Sequence, residues 1–257
     1  MTTLRRQSLK CLGFGLALAG VPNLATAASN KARPTGALRS LDALTRHLAT
    51  VPRRRDFKTT PMILDHRDQW DADALDAVLH YAGGPKQSWD NTDINGPWLN
   101  VMRNSMNSEY WSFRHPEFLC VSATHGTAQL ALYDDKMWEK YGLAKLAGGN
   151  LTRNTFATGP STEEIDRKIF QSPNGPFSSH NNNIPTLQQR GAVFLACHNA
   201  VWELSERLIA ANVNPDKVEI DALSAELTNH MISGVVMTPG AVGTLVELSA
   251  AGFAYAR

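Results

Sequence analysis

The sequence predicts an α/β domain built on a doubly wound parallel sheet with helices on both faces. Three observations predict it. From residue 61 onward short apolar runs recur, each run meets a polar or glycine-bearing corner, and each corner leads into ten or more residues with apolar side chains at helical spacing. Strands that alternate with helices of this length are joined by right-handed crossovers, which lay the helices over both faces of a parallel sheet.

The elements follow in order. "PMILDH" (61–66) reads as the first strand and leads into "RDQWDADALDAVLHYAGG" (67–84), where Trp70, Leu75, Val78 and Leu79 share a face and Gly83 and Gly84 end the helix. A second helix, "PWLNVMRNSMNSEYWSF" (97–113), opens with Pro97 in its first turn, where a missing N–H costs nothing. "EFLCVSATHG" (117–126) is a buried-type strand before the helix "TAQLALYDDKMWEKYG" (127–142). "GAVFLACHN" with "AVWELSERLIAAN", then "SGVVMTPG" with "AVGTLVELSAAG", repeat the pattern, and "FAYAR" closes as a short strand. Between 148 and 190 the rhythm fails in a stretch rich in Asn, Ser, Pro and Gly. That stretch reads as an insertion, a surface loop with one helix expected from Thr162 to Phe170. "FSSHNNN" within it offers a lid or a plain loop.

The N-terminal residues stand apart. "TLRRQSLKCLGFGLALAGVPNLATA" has the layout of an export signal, and Arg5 and Arg6 with Leu9 and Lys10 point to the twin-arginine route, cleavage being expected after Ala27. Its apolar stretch is too short to span a bilayer. The expected location is the periplasm. Residues 28–60 read as a tether carrying a short helix, with Leu38, Leu41, Leu44 and Leu48 on one face, and "RRR" at 53–55 as a solvated charge run. Removing Arg5, Arg6 and Lys10, with no acid lost, takes the formal net charge from +1 to −2. That balance excludes nucleic acid as a partner.

Ligands of a doubly wound sheet bind beyond the carboxyl ends of the strands. The predicted corners there supply Asp65 and His66, then Thr124, His125 and Gly126, then Cys197, His198 and Asn199, then Thr238, Pro239 and Gly240. Cys197 carries the chemistry in this reading, because a thiol at a helix start beside imidazoles has its thiolate favoured by the dipole and by hydrogen bonds; the alternative is a small buried hydrophobe. His125 and His198 are the candidates to tune it. Asn199 or His198 would cap the helix, and Gly126 would let the backbone turn or approach a ligand. Asn199, Gly126 and Thr238 are the candidate binding positions. Cys120, mid-strand, reads as core, and a Cys120–Cys197 bond is not expected from strands at different depths. His66, His125, Cys197 and His198 lack the spacing of a metal site, so no metal is assigned, and no cofactor is identified. Phosphate loops, nucleophile elbows and paired-cysteine motifs are absent. Trp98, Trp111, Trp138 and Trp202 read as core and interface anchors.

"GAVFLACHNAVWEL" and "LTNHMISGVVMTPGAVGTLVELSAAGFAYAR" resemble the closing half of the DsrE-like sulfur-relay family, in which a strand ending in cysteine precedes a helix and the chain finishes on a Gly-Val strand, a helix and a glycine-aromatic strand. "LCVSATHGTAQLALYDDKMWEKYG" is similar to the histidine-glycine junction of exported members. The resemblance covers 61–145 and 190–257. It implies a domain of flavodoxin-like layering at 61–257 interrupted by the 148–190 insertion, assembly into trimers or hexamers, and a persulfide carried on a cysteine, for which Cys197 is the matching position. Three readings follow: a periplasmic thiol that exchanges sulfane sulfur with small sulfur species or a partner protein, a non-catalytic module holding a metal, haem or anion, and an oligomeric accessory protein exported folded.

Overall fold

The computed structural model describes residues 37–159 and 165–257. Five strands, β1 (Lys86–Asn91), β2 (Leu119–Thr124), β3 (Val193–Cys197), β4 (Val236–Thr238) and β5 (Ala254–Ala256), run parallel in the order β4-β3-β2-β1-β5. The helices are α1 (Leu41–Thr50), α2 (Ala72–Leu79), α3 (Trp98–Asn107), α4 (Asp135–Lys140), α5 (Leu143–Ala147), α6 (Ile184–Gln189), α7 (His198–Ala210), α8 (Ile220–Asn229) and α9 (Ala241–Ala250). The α/β architecture read from the periodicity is therefore the one observed.

Alternation along the buried strands splits the core in two. Cys120, Phe194 and Ala196 point into the larger cluster with Met102 of α3, Leu204 of α7 and Leu223 of α8. Val121, Leu195 and Val236 point the other way, onto Leu44 of α1, Val78 of α2 and Leu248 of α9. The winding is unequal. The first three crossovers each step one strand in the same direction, so a constant handedness lays their helices on one face; α9 reverses direction to carry the chain from β4 to β5 at the opposite edge, and lies on the other face.

"PMILDH" is not a strand. Pro61 has no N–H to donate, Met62 and Ile63 are exposed, and the edge that the segment would join is already taken. That edge belongs to β4: the Val235 carbonyl accepts from Arg53 Nε at 3.1 Å and Arg55 Nη2 at 3.2 Å, while Asp71 donates its N–H to the Met237 carbonyl and accepts from Met237 N at 2.7 Å. Arg55 closes the arrangement with a two-pronged ion pair to Asp71, at 3.0 and 2.8 Å. Of the three arginines at 53–55, two thus cap an open strand edge that would otherwise invite another chain; the run is structural and not merely solvated. The first strand is instead the polar "KQSWDN", held between β2 and β5.

The short helix at 41–50 forms where its leucine stripe predicts it, with Ser40 Oγ accepting from Ala43 N as its cap. Leu41 and Leu44 are buried in the α2–α9 side of the core, so this helix packs onto the domain; residues 28–36 of the expected tether lie outside the described residues. The helix expected over 127–142 is a 3-10 turn, Gly126–Leu132, followed by α4. In the insertion, residues 160–164 lie outside the described residues; 167–169 form one 3-10 turn, and Asn183 caps α6 through Thr186 N. The export signal read at 1–27 lies outside the described residues. No helix among the described residues is long and apolar enough to cross a membrane.

Candidate functional site

At the carboxyl ends of β3 and β4 the chain leaves on opposite sides of the sheet, α7 toward the larger cluster and α9 toward the smaller one. Neighbouring strands with diverging exits leave a crevice between them, the position where ligands enter sheets of this kind. Cys197 ends β3 in that crevice, opposite Thr238 of β4.

The cysteine is itself the cap of α7: its Sγ accepts from Ala200 N at 3.4 Å and, from the first residue of α9, Ala241 N at 3.2 Å. The sulfur therefore sits against the positive ends of two helices at once. Its backbone N–H donates to Gln129 Oε1 at 3.1 Å, fixing the corner from below. Around it lie Ala123, Ala200 and Ala241, with Leu245 beyond. Only 5% of Cys197 is exposed. Burial pushes its thiol above the ordinary value, and the N–H groups of Ala241, Ala200 and Asn199 pull the other way without cancelling it. Cys120 is fully buried on the opposite face, where burial raises its thiol to about 12. Both cysteines are free, and the sheet stands between them.

The two histidines go elsewhere. His198, the first residue of α7, is buried, and its Nε2 donates to the Pro61 carbonyl at 2.7 Å, so it anchors the segment that wraps the β4 edge. Burial lowers its pKa, against the opposing pull of the Pro61 and Met62 backbone. His125 turns to β1, where its Nε2 meets Asp90 Oδ1 at 2.7 Å, and Tyr255 of β5 donates to Asp90 Oδ2 at 2.8 Å. Partial burial alone would raise the Asp90 carboxyl, yet the bonds from His125 and Tyr255, with the charges of His125 and Arg257, hold it below the ordinary value. This carboxylate–imidazole–phenol cluster was not foreseen, because its acid lies on the strand that the sequence hid. The one available signal was the polar Asp90 closing an alternating stretch, "SWDN", just after a Gly-Gly-Pro break.

Of the candidate binding positions, Asn199 is exposed at the rim and its Nδ2 lies against Gly240, where a Cβ would come within 2.7 Å. Gly126 has φ +56°, and a Cβ there would stand 2.6 Å from the Thr92 carbonyl oxygen; its freedom serves the corner and not a ligand. Thr238 is buried and donates to the Ala196 carbonyl at 2.8 Å, tying β4 to β3. Asp65 and His66 are exposed on the false strand, where Gln69 Oε1 accepts from both of their backbone N–H groups. No three His, Cys, Asp or Glu side chains gather to hold a metal ion among the described residues. The tryptophans divide: Trp98 and Trp138 are core, while Trp111 lines a cavity at the other end of the sheet.

Comparison of the chain with known protein families, with curated proteins and with solved structures finds no match.

Proposed function

We propose that the protein is an exported, periplasmic α/β protein that carries sulfane sulfur as a persulfide on Cys197, as the resemblance to DsrE-like proteins implies. One observation carries this reading: Sγ of Cys197 receives N–H groups from the first turns of both α7 and α9. Donors fixed on a sulfur lower the cost of its negative charge, in the thiolate and in a bound persulfide alike.

In the transfer step the Cys197 thiolate attacks the outer sulfur of a low-molecular-weight persulfide, R–S–SH. A new S–S bond forms on Cys197, the S–S bond of the donor persulfide breaks, and R–S⁻ leaves and takes up the proton given up by the thiol. No external oxidant enters. Cys197 is 5% exposed and burial raises its thiol, so the step waits on an opening of the β3–β4 corner that admits the donor. Ala123, Ala200 and Ala241 pack around the sulfur. His198, bonded to Pro61, has no part in the chemistry, and His125 is engaged by Asp90 on the same strand-end edge. Assembly with further copies uses the exposed side of α9, where Val242 and Val246 stand one turn apart.

The test is to incubate the reduced protein with glutathione persulfide and follow protein mass. Gain of one sulfur atom, reversed by a thiol reductant and lost in Cys197→Ser but retained in Cys120→Ser, supports the reading. Labelling confined to Cys120, or none at all, contradicts it.

A further inference from the structure

Two adjoining spaces lie at the opposite end of the sheet, before the amino ends of β2 and β3. The inner one, lined by Met106, Trp111, Phe118, Phe177 and Arg190, has about 20 Å³, room for one water molecule, and opens beside an outer cleft of about 250 Å³; Tyr110, Arg167 and Arg190 border both. The wall is built by an irregular piece of chain. After α3 the helix widens into a π-helical turn, Ser108–Ser112, which presents Tyr110 and Trp111, and Arg114 follows in the left-handed region at φ 63°. Such turns and such backbone conformations gather at functional sites.

Arg190 is 6% exposed. Its Nη2 donates to Asn107 Oδ1 at 2.6 Å and its guanidinium lies over the Phe177 ring, but its Nη1 is buried without a partner. No carboxylate among the described residues pairs with Arg190 or Arg167. The acids on the outer cleft are engaged elsewhere, Glu117 with Leu41 N and Asp42 with Arg46. A second buried donor, Trp111 Nε1, is also unpartnered on the inner cavity. Burying a cation without an anion is costly, and native chains leave such donors unmet where a ligand completes them. The rest of the lining is aromatic and flat: Trp111 stacks on Phe170 at 4.3 Å and meets Phe177 edge-on at 5.8 Å, and Arg167 lies over Tyr110.

We infer that this cleft binds a small organic carboxylate with a planar apolar body, its carboxylate turned inward to Arg190 at the mouth of the inner space and its ring lying in the outer cleft against Tyr110. Arg167 closes over the outer side and supplies a second positive charge. The site is separate from Cys197 and uses no sulfur chemistry, so its failure leaves the thiol reading standing.

Titration calorimetry on the full chain, with benzoate, benzamide and inorganic phosphate as probes, tests it. Benzoate is expected to bind and to raise the melting temperature, with benzamide and phosphate each at least about tenfold weaker, the loss typical of a missing charge-assisted bond or a missing packed ring. Arg190→Met should abolish benzoate binding while retaining a cooperative melt, and Arg167→Gln should weaken it about threefold or more. If Arg190→Met does not fold, Arg167→Gln and the three-probe ranking decide. Equal affinity for benzoate and benzamide, phosphate binding as tight as benzoate, or no benzoate binding overturns the inference.

Discussion

The two ends of the sheet are built on opposite rules. At the carboxyl end the groups named as candidates are met, Cys197 by two N–H donors, the Ala196 carbonyl by Thr238 and Asp90 by His125 and Tyr255, while Gln129 Nε2 beneath the Cys197 corner is buried without a partner. At the amino end Arg190 Nη1 and Trp111 Nε1 lie buried and unmet beside unfilled space. The first end buries an uncharged thiol among apolar neighbours, whereas the second buries a cation with no carboxylate beside it among the described residues. Removing a group should therefore cost stability at the carboxyl end and little at the amino end.

The largest effect is expected at the β2 corner. Gly126→Ala forces a side chain into the left-handed region and against the Thr92 carbonyl, and should cost about 2–4 kcal/mol in urea unfolding. A loss under about 1 kcal/mol would show that the corner relaxes and that the carboxyl end is less rigid than described. Next, Cys197→Ala leaves the N–H groups of Ala200 and Ala241 without their acceptor and should cost about 1–2 kcal/mol, with Cys197→Ser recovering part of it. Equal stability of the two variants would remove the sulfur from its capping role.

Arg190→Met sharpens the contrast from the other side. Replacing a buried, uncompensated cation by an apolar chain of similar length should change stability by less than about 1 kcal/mol, in either direction. A loss of about 3 kcal/mol or more would mean that the guanidinium is a structural member. The smallest effect depends on pH. His198 is held neutral by burial, so its folded pKa lies below the unfolded value of about 6.5; the unfolded chain binds the extra proton, and stability should fall as pH drops from about 6.5 toward the folded pKa. The Asp90 carboxyl adds a second loss below about pH 4, again as pH falls, because its folded pKa is depressed. His198→Asn should flatten the first decline and leave the second, measured by thermal melting across pH.

What the sequence disclosed follows from burial. β2 and β3 are covered along their whole length, so each reads as an apolar run, and the helices after β3 and β4 are long enough for their period to show. Cys197 was placed correctly because a corner is legible as a change of period from two to 3.6. β1 was hidden because it is bonded on both sides yet carries polar residues, Ser88, Asp90 and Asn91, whose hydrogen bonds are met inside the fold. "PMILDH" misled because apolarity alone does not provide a partner, and the β4 edge it needed is occupied by Arg53, Arg55 and Asp71. The direction of His198 could not be read at all: at a strand-to-helix corner the side-chain phase depends on the first helical turn, and here it sends the ring to Pro61.

The central claim is that Cys197 carries sulfur, and the intact mass of the protein purified natively, without reductant, tests it most directly. The account predicts a species heavier by one sulfur atom that reverts on reduction and is missing from Cys197→Ser. A bare polypeptide mass in the unreduced protein, unchanged after exposure to a persulfide donor, would contradict it.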